Sequence, residues 1–124
     1  MRYVELHARS AFSFLQGGSL PEALIDGAAN HGMPAMALLD FDGFYGSPRF
    51  HMAAKRTGLR AHAGAELTVD DGNRRCHYPL LCESQLGYQN LCRLITKTKL
   101  RVSKHHASSA TMNELKTMQQ VSYV

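Results

Sequence analysis

Residues 35–39, Ala35-Met36-Ala37-Leu38-Leu39, form an unbroken apolar run that stops at Asp40. A run of this length with no polar position in its alternation is how a strand buried on both faces reads, and such strands belong to parallel sheets covered by helices. The flanking segments fit that frame. Residues 3–7 make a short strand. Residues 11–15 are apolar, and Gln16-Gly17-Gly18 turns the chain. Ser19 is placed to cap a helix, with Pro21 in the first turn and Glu22 three residues after the cap. Leu20, Ala23, Leu24, Ala28 and Ala29 supply its inward face, and His31-Gly32 its stop.

Beyond Asp40, Asp42-Gly43 and Gly46-Ser47-Pro48 carry loop chemistry, and a helix over about 48–57 closes at Gly58. A strand within 59–69 ends near Glu66 or shortly after it. Asp70-Asp71-Gly72-Asn73 signals a hairpin, and the strand returns over 76–82, with Pro79 marking it as an edge strand. Residues 86–98 read as a helix with Ser84 as cap and Leu91, Leu94 and Ile95 inward. Residues 100–110 read as polar loop. Thr111-Met112-Asn113-Glu114 matches a capping box for a last short helix.

Strand, helix, strand, helix, strand predicts parallel pairing with helical crossovers. In such sheets, functional groups collect at the carboxyl ends of the strands. His7, Asp40 and Glu66 each follow an apolar strand and are expected to converge on one rim. Imidazole with carboxylates suits Zn, Mn or Fe, and metal-bound water hydrolyses phosphoesters. The same three side chains also suit a purely structural role, hydrogen-bonded to loop backbone.

Composition limits the other possibilities. With 124 residues, 44% hydrophobic and 19% charged, the chain is expected to form one modest globular domain. No apolar run approaches the roughly 18 residues of a membrane helix, and the N-terminus lacks the apolar core of a signal peptide, so a cytoplasmic location is expected. Cys76, Cys82 and Cys92 form no CxxC pair, which predicts free thiols rather than a disulfide or zinc framework. The net charge is +4, yet no acidic residue occurs between Ser84 and Asn113, where Arg93, Lys97, Lys99, Arg101 and Lys104 lie. That tract can meet phosphates or serve as a solvated helix face with a loop. No aromatic residues interleave these charges, so no stacking platform for single strands is indicated.

Several segments carry a family resemblance. His7-Ala8-Arg9-Ser10 resembles the His-x-His-Ser motif of PHP domains, and Phe12 to Gly17 resembles the phenylalanine-rich stretch that follows it. Residues 32–43, Gly-Met-Pro-Ala-Met-Ala-Leu-Leu-Asp-Phe-Asp-Gly, resemble the family's Gly-x-Pro-Ala-x-Ala-x-Thr-Asp-His-Asp-Gly segment. Gly46 to Phe50 with Ala53-Ala54 is similar to the next helix, and Gly64-Ala65-Glu66 to the Gly-Ala-Glu motif. Gly87-Tyr88 through Thr96 is similar to a segment of PHP domains attached to bacterial C-family DNA polymerases, and the Tyr-Val-Glu-Leu-His opening resembles the error-prone branch. The best-matching region is 3–98, with 99–124 a basic loop and short helix. The resemblance implies an α/β fold: roughly the first half of a distorted (βα)7 barrel, with a hairpin after the third strand. It also implies DNA, or the remaining polymerase domains, as partners, in the context of DNA replication, repair and translesion synthesis.

The departures from the pattern matter equally. Arg9 stands where the second ligating histidine is expected, Gln16 where an aspartate is, and Phe41 where a histidine is. Among these early positions only His7 and Glu66 keep ligating side chains, and Asp40 need not be a ligand. Arg9, Asp40 and Asp42 are expected at the rim. A guanidinium cannot deprotonate to ligate, so the resemblance implies a degenerate site with no cofactor expected, a divalent Zn or Mn ion being the alternative. His77, His105 and His106 read as edge-strand and loop histidines. About half the units of a barrel cannot close it, so the chain reads as a truncated product or a fragment whose exposed sheet edges invite self-association. Three functional readings follow: a PHP fragment of a polymerase without activity of its own, a metal-dependent phosphoesterase or exonuclease domain, and a small basic nucleic-acid-binding protein.

Overall fold

The computed structural model describes residues 3–13, 17–102 and 108–124. In chain order the elements are β1 (Glu5–Ala8), α1 (Pro21–Asn30), β2 (Ala35–Phe41), α2 (Ser47–Thr57), β3 (Arg60–Asp70), β4 (Arg75–Cys82), α3 (Gln85–Leu100), β5 (Ala110–Thr111), α4 (Met112–Thr117) and β6 (Val121–Tyr123). The sheet order is β1-β2-β3-β4-β6. β1, β2 and β3 run parallel, as the crossover helices α1 and α2 require. β4 returns antiparallel to β3 through the hairpin, where Gly72 takes a left-handed φ of 72°. β5 pairs with β3 at Val69 and Asp70, beyond the point where the β2 pairing ends at Glu66.

β2 is buried continuously from Met36 to Asp40, as its composition predicts. Successive strand side chains point to opposite faces, and the two faces do different work. Met36 and Leu38 join Ile25 and Ala28 of α1 and Phe50, Ala53 and Ala54 of α2 in one core cluster. Ala65, Leu67, Val69 and Leu80 join Leu91, Leu94 and Ile95 of α3 and Leu115 of α4 in a second. The register Phe41↔Glu66 and Thr68↔His77 assigns these four residues to the opposite face, with Ala37 and Leu39. That face carries Glu66, Thr68 and His77, whereas Asp40 shares the helix-covered face with Met36 and Leu38.

Most expected elements are present within a residue or two, and three local expectations are corrected. Ser19 does not cap α1: the N-cap is Leu20, with no side-chain cap, and Pro21 starts the helix with a φ that already suits it. The inward face of α1 is Pro21, Ile25 and Ala28, with Leu24 half-buried; Leu20, Ala23 and Ala29 are exposed. Starting the helix at Pro21 rotates the buried stripe onto the positions four and seven residues later. β4 is not an edge strand, because β6 pairs with Leu80–Cys82. Pro79 is tolerated at the end of that pairing, where its carbonyl accepts from the Val124 N–H at 3.0 Å and its missing donor faces only the last residue of the chain. Of the polar loop expected over 100–110, residues 103–107 fall outside the described residues, while Leu100 ends α3 and Ala110 belongs to β5; the strands β5 and β6 are not expected from the sequence.

Candidate functional site at the strand ends

Asp40, next to last in β2, is 1% exposed. Its carboxylate accepts from the Ser10 N–H at 2.8 Å, the Ser13 hydroxyl at 2.8 Å, the Gly46 N–H at 2.9 Å, and the Ser10 hydroxyl at 2.9 and 3.0 Å. The Ser13 oxygen in turn accepts from the Phe41 N–H at 2.9 Å. These bonds join the loop after β1 to the loop after β2. Gly46 is needed there: a Cβ would sit 2.7 Å from both Asp40 Oδ2 and Ser10 Oγ. Asp40 therefore organises loops, and its lone pairs are committed to them.

Asp42 has a left-handed φ of 51°, which Asp tolerates better than most residues. Its carboxylate accepts from the Thr68 N–H and the Thr68 hydroxyl, both at 2.7 Å. It latches the β2 end to β3 and leaves the rim without a free acid at this position.

His7 and Glu66 do meet. Glu66 is 5% exposed, and its Oε2 lies 3.2 Å from His7 Nε2. A carboxylate can only accept, so Nε2 carries the proton. Burial first, and then the Arg9 charge, lower the His7 pKa, with Glu5 opposing. The second partner of Oε2 is the guanidinium of Arg9, which donates through Nη2. The same guanidinium stands 5.4 Å from the centroid of the Phe41 ring, a cation–π distance. Phe41 meets His77 edge-on at 4.5 Å, and His77 Nδ1 lies 3.3 Å from the Thr68 hydroxyl. The sequence alone presents His77 as an ordinary edge-strand histidine. Counting back through the hairpin from Asp70↔Arg75 gives Thr68↔His77 and sets it beside the site; turn chemistry held that signal.

The donor set does not suit a metal ion. Among the described residues no three His, Cys, Asp or Glu side chains gather where they can hold one. Asp40 is spent on loop contacts and Asp42 on Thr68 of β3, Phe41 offers no lone pair, and Arg9 already places a positive charge on Glu66. Gln16 lies outside the described residues.

The basic tract is partly engaged elsewhere. Lys97 and Arg101 flank Glu114 at 3.1 and 2.8 Å. Lys99 donates to the Tyr45 hydroxyl and stands 4.6 Å from the centroid of its ring. Arg93 is exposed on α3, and Lys104, His105 and His106 lie outside the described residues. A separate hollow of about 400 Å³ between α2, the start of β3 and α3 is lined by His51, His62, Cys82 and Tyr88, among others. Burial, and then Cys92, push the Cys82 pKa up to about 11. That thiol stays protonated near neutrality and is no nucleophile. All three cysteines are free, as their spacing predicts. No helix among the described residues is long and apolar enough to cross a membrane.

A helix-backed sheet, parallel through β1–β3, with His7, Arg9, Asp40 and Glu66 gathered where the β2–β3 pairing ends, defines an α/β scaffold of the PHP type, seen here as part of the barrel. The PHP domain family matches residues 5–122, and the chain belongs to that family. It is 47% identical over 98 residues to an error-prone DNA polymerase of Anaeromyxobacter sp. (strain K), an alignment covering 77% of this chain and 9% of the relative. It is 46% identical over 100 residues to that of Symbiobacterium thermophilum, covering 81% and 9%. The chain thus spans about 9% of the length of these curated relatives. Among solved structures, it superposes on an amidohydrolase from Chromobacterium violaceum with a TM-score of 0.65 at 27% identity, covering 78% of this chain and 33% of the other. A proposed metal-dependent phosphoesterase of Bifidobacterium adolescentis gives 0.64 at 21%, covering 80% and 34%, and supports the fold alone.

Proposed function

We propose that the chain is a non-hydrolytic PHP module of the kind found in error-prone DNA polymerases. It serves as a structural and interaction element alongside other polymerase domains, in the cytoplasm and in the setting of DNA repair and translesion synthesis. One observation carries this reading: the buried Glu66 carboxylate is held by Arg9 and His7 within the protein, not left open to a Zn or Mn ion. The similarity to error-prone DNA polymerases over three quarters of the chain supports the setting. The reading as a small nucleic-acid-binding protein is weaker, because Lys97, Lys99 and Arg101 already have protein partners.

The test is hydrolysis of bis-p-nitrophenyl phosphate and of an end-labelled oligonucleotide with excess Zn or Mn, with and without EDTA. No chelator-sensitive turnover is expected. Turnover that EDTA abolishes and that His7→Ala removes would overturn the proposal.

A further inference from the structure

We infer that Arg9 acts as a built-in cation at this site, doing for Glu66 what a bound metal ion would otherwise do. The inference deepens the non-hydrolytic reading and rests on it only for the claim that no ion occupies the site in the parent chain. Glu66 lies in the middle of β3, paired with Phe41 on one side and Pro79 on the other, and its side chain is 7% exposed. An ionised carboxylate at such depth needs a positive partner, because burial without one costs several kcal/mol. His7 is the weaker source of that charge, because an imidazole carries one only when protonated. Arg9 supplies it, with a guanidinium that is charged at every accessible pH.

The position of the charge is built rather than incidental. Arg9 follows β1 directly, so its backbone is anchored by the β1–β2 pairing on one side and by the Ser10–Asp40 bonds on the other. The side chain is 22% exposed. It reaches Glu66 along one direction and lies against the Phe41 ring along another. Phe41 thereby has a use: an aromatic face stabilises the delocalised guanidinium, where it has nothing to offer a metal ion. Arg9 and Phe41 are thus complementary, and the site is coherent without an ion. Removing Arg9 leaves the buried Glu66 carboxylate without its fixed positive partner, which is a latent cation site.

Thermal midpoints test this on the full chain. Arg9→Ala is expected to lower the midpoint by roughly 10 °C, the scale for breaking a buried pair in a domain of this size. Millimolar methylguanidinium or excess Zn should recover part of that loss in the variant while leaving the parent unchanged. Arg9→Lys should recover less than half, since a point charge lacks the planar contact with Phe41. If Arg9→Ala does not fold, Arg9→Ala/Glu66→Gln must, because it removes the uncompensated charge. The inference fails if Arg9→Ala leaves the midpoint unchanged, if the double variant is no more stable than the single one, or if Zn or EDTA shifts the parent. Chelator-sensitive hydrolysis by a parent whose midpoint ignores EDTA would fault the functional reading alone.

Discussion

A single carboxylate, Asp40, holds two loops to the end of β2, and its environment sets what its loss should do. Four donor groups converge on it at 2.8–3.0 Å, and it is almost wholly buried. Asp40→Ala strands the Ser10 and Gly46 N–H groups and two hydroxyls, a change expected to cost about 3 kcal/mol. Asp40→Asn keeps the volume but turns an acceptor into a donor facing other donors, so it should fall between parent and alanine. Urea denaturation followed by far-UV circular dichroism measures both; the chain has no tryptophan to report by fluorescence. An alanine variant as stable as the parent would remove Asp40 from this role. The sequence shows why the role was only half legible. A carboxylate after an apolar strand reads the same whether it binds an ion or a loop, and the hydrogen-bonding side chains that decide between them, Ser10 and Ser13, lie 30 and 27 residues earlier. Arg9 was legible as a charge entering the site, but nothing in the spacing showed that it would land on Glu66.

Between elements, Glu114 adds an electrostatic tie to the core cluster that α3 and α4 share. Glu114 completes the capping box with Thr111 and also receives Lys97 and Arg101. Burial alone would raise its pKa, but the Arg101 bond, the Thr111 N–H and Lys97 together outweigh that and hold it at about 2. A carboxyl whose folded pKa lies below its unfolded value stabilises the fold above the unfolded pKa, and that contribution is lost as pH falls toward the folded one. Glu114→Gln should therefore cost about 1 kcal/mol at neutral pH, since Lys97 and Arg101 are exposed and solvent screens their charges, with the difference from parent shrinking between pH 5 and pH 2. Paired denaturation curves across that range check the sign; a gap that widens in acid would refute it. At this scale the capping box and the hairpin were readable because their residue types act on backbone a few positions away. The strands β5 and β6 were not: at two and three residues they are too short for alternation to show. β6 instead depends on a contact remote in sequence, where Gly87 admits the Gln120 carbonyl to within 1.9 Å of where a Cβ would stand.

At the scale of the molecule, the sheet among the described residues is an open array whose outer strands each pair on one side: β1 with β2, and β6 with β4. Each matched structure is about three times the span matched here, and a barrel that closes removes its edges. The outer strands carry apolar side chains to the surface at Leu6, 36% exposed, and Tyr123, 57% exposed, with Tyr3 at 63% beside β1. Neither strand carries a lysine or an internal proline to discourage pairing with a second chain. The chain alone is therefore expected to self-associate through an edge. In sedimentation equilibrium its weight-average mass should rise above the monomer's 13.8 kDa at roughly 100 μM, a range in which exposed edges associate. Leu6→Lys places a charge on the β1 edge without entering either core cluster, and should return the mass toward monomer if β1 is the edge used. Unchanged association in that variant would direct attention to β6, where Tyr123→Lys is the matching change. A monomeric parent throughout the range would show that the described edges are protected in solution, and would end the self-association proposal.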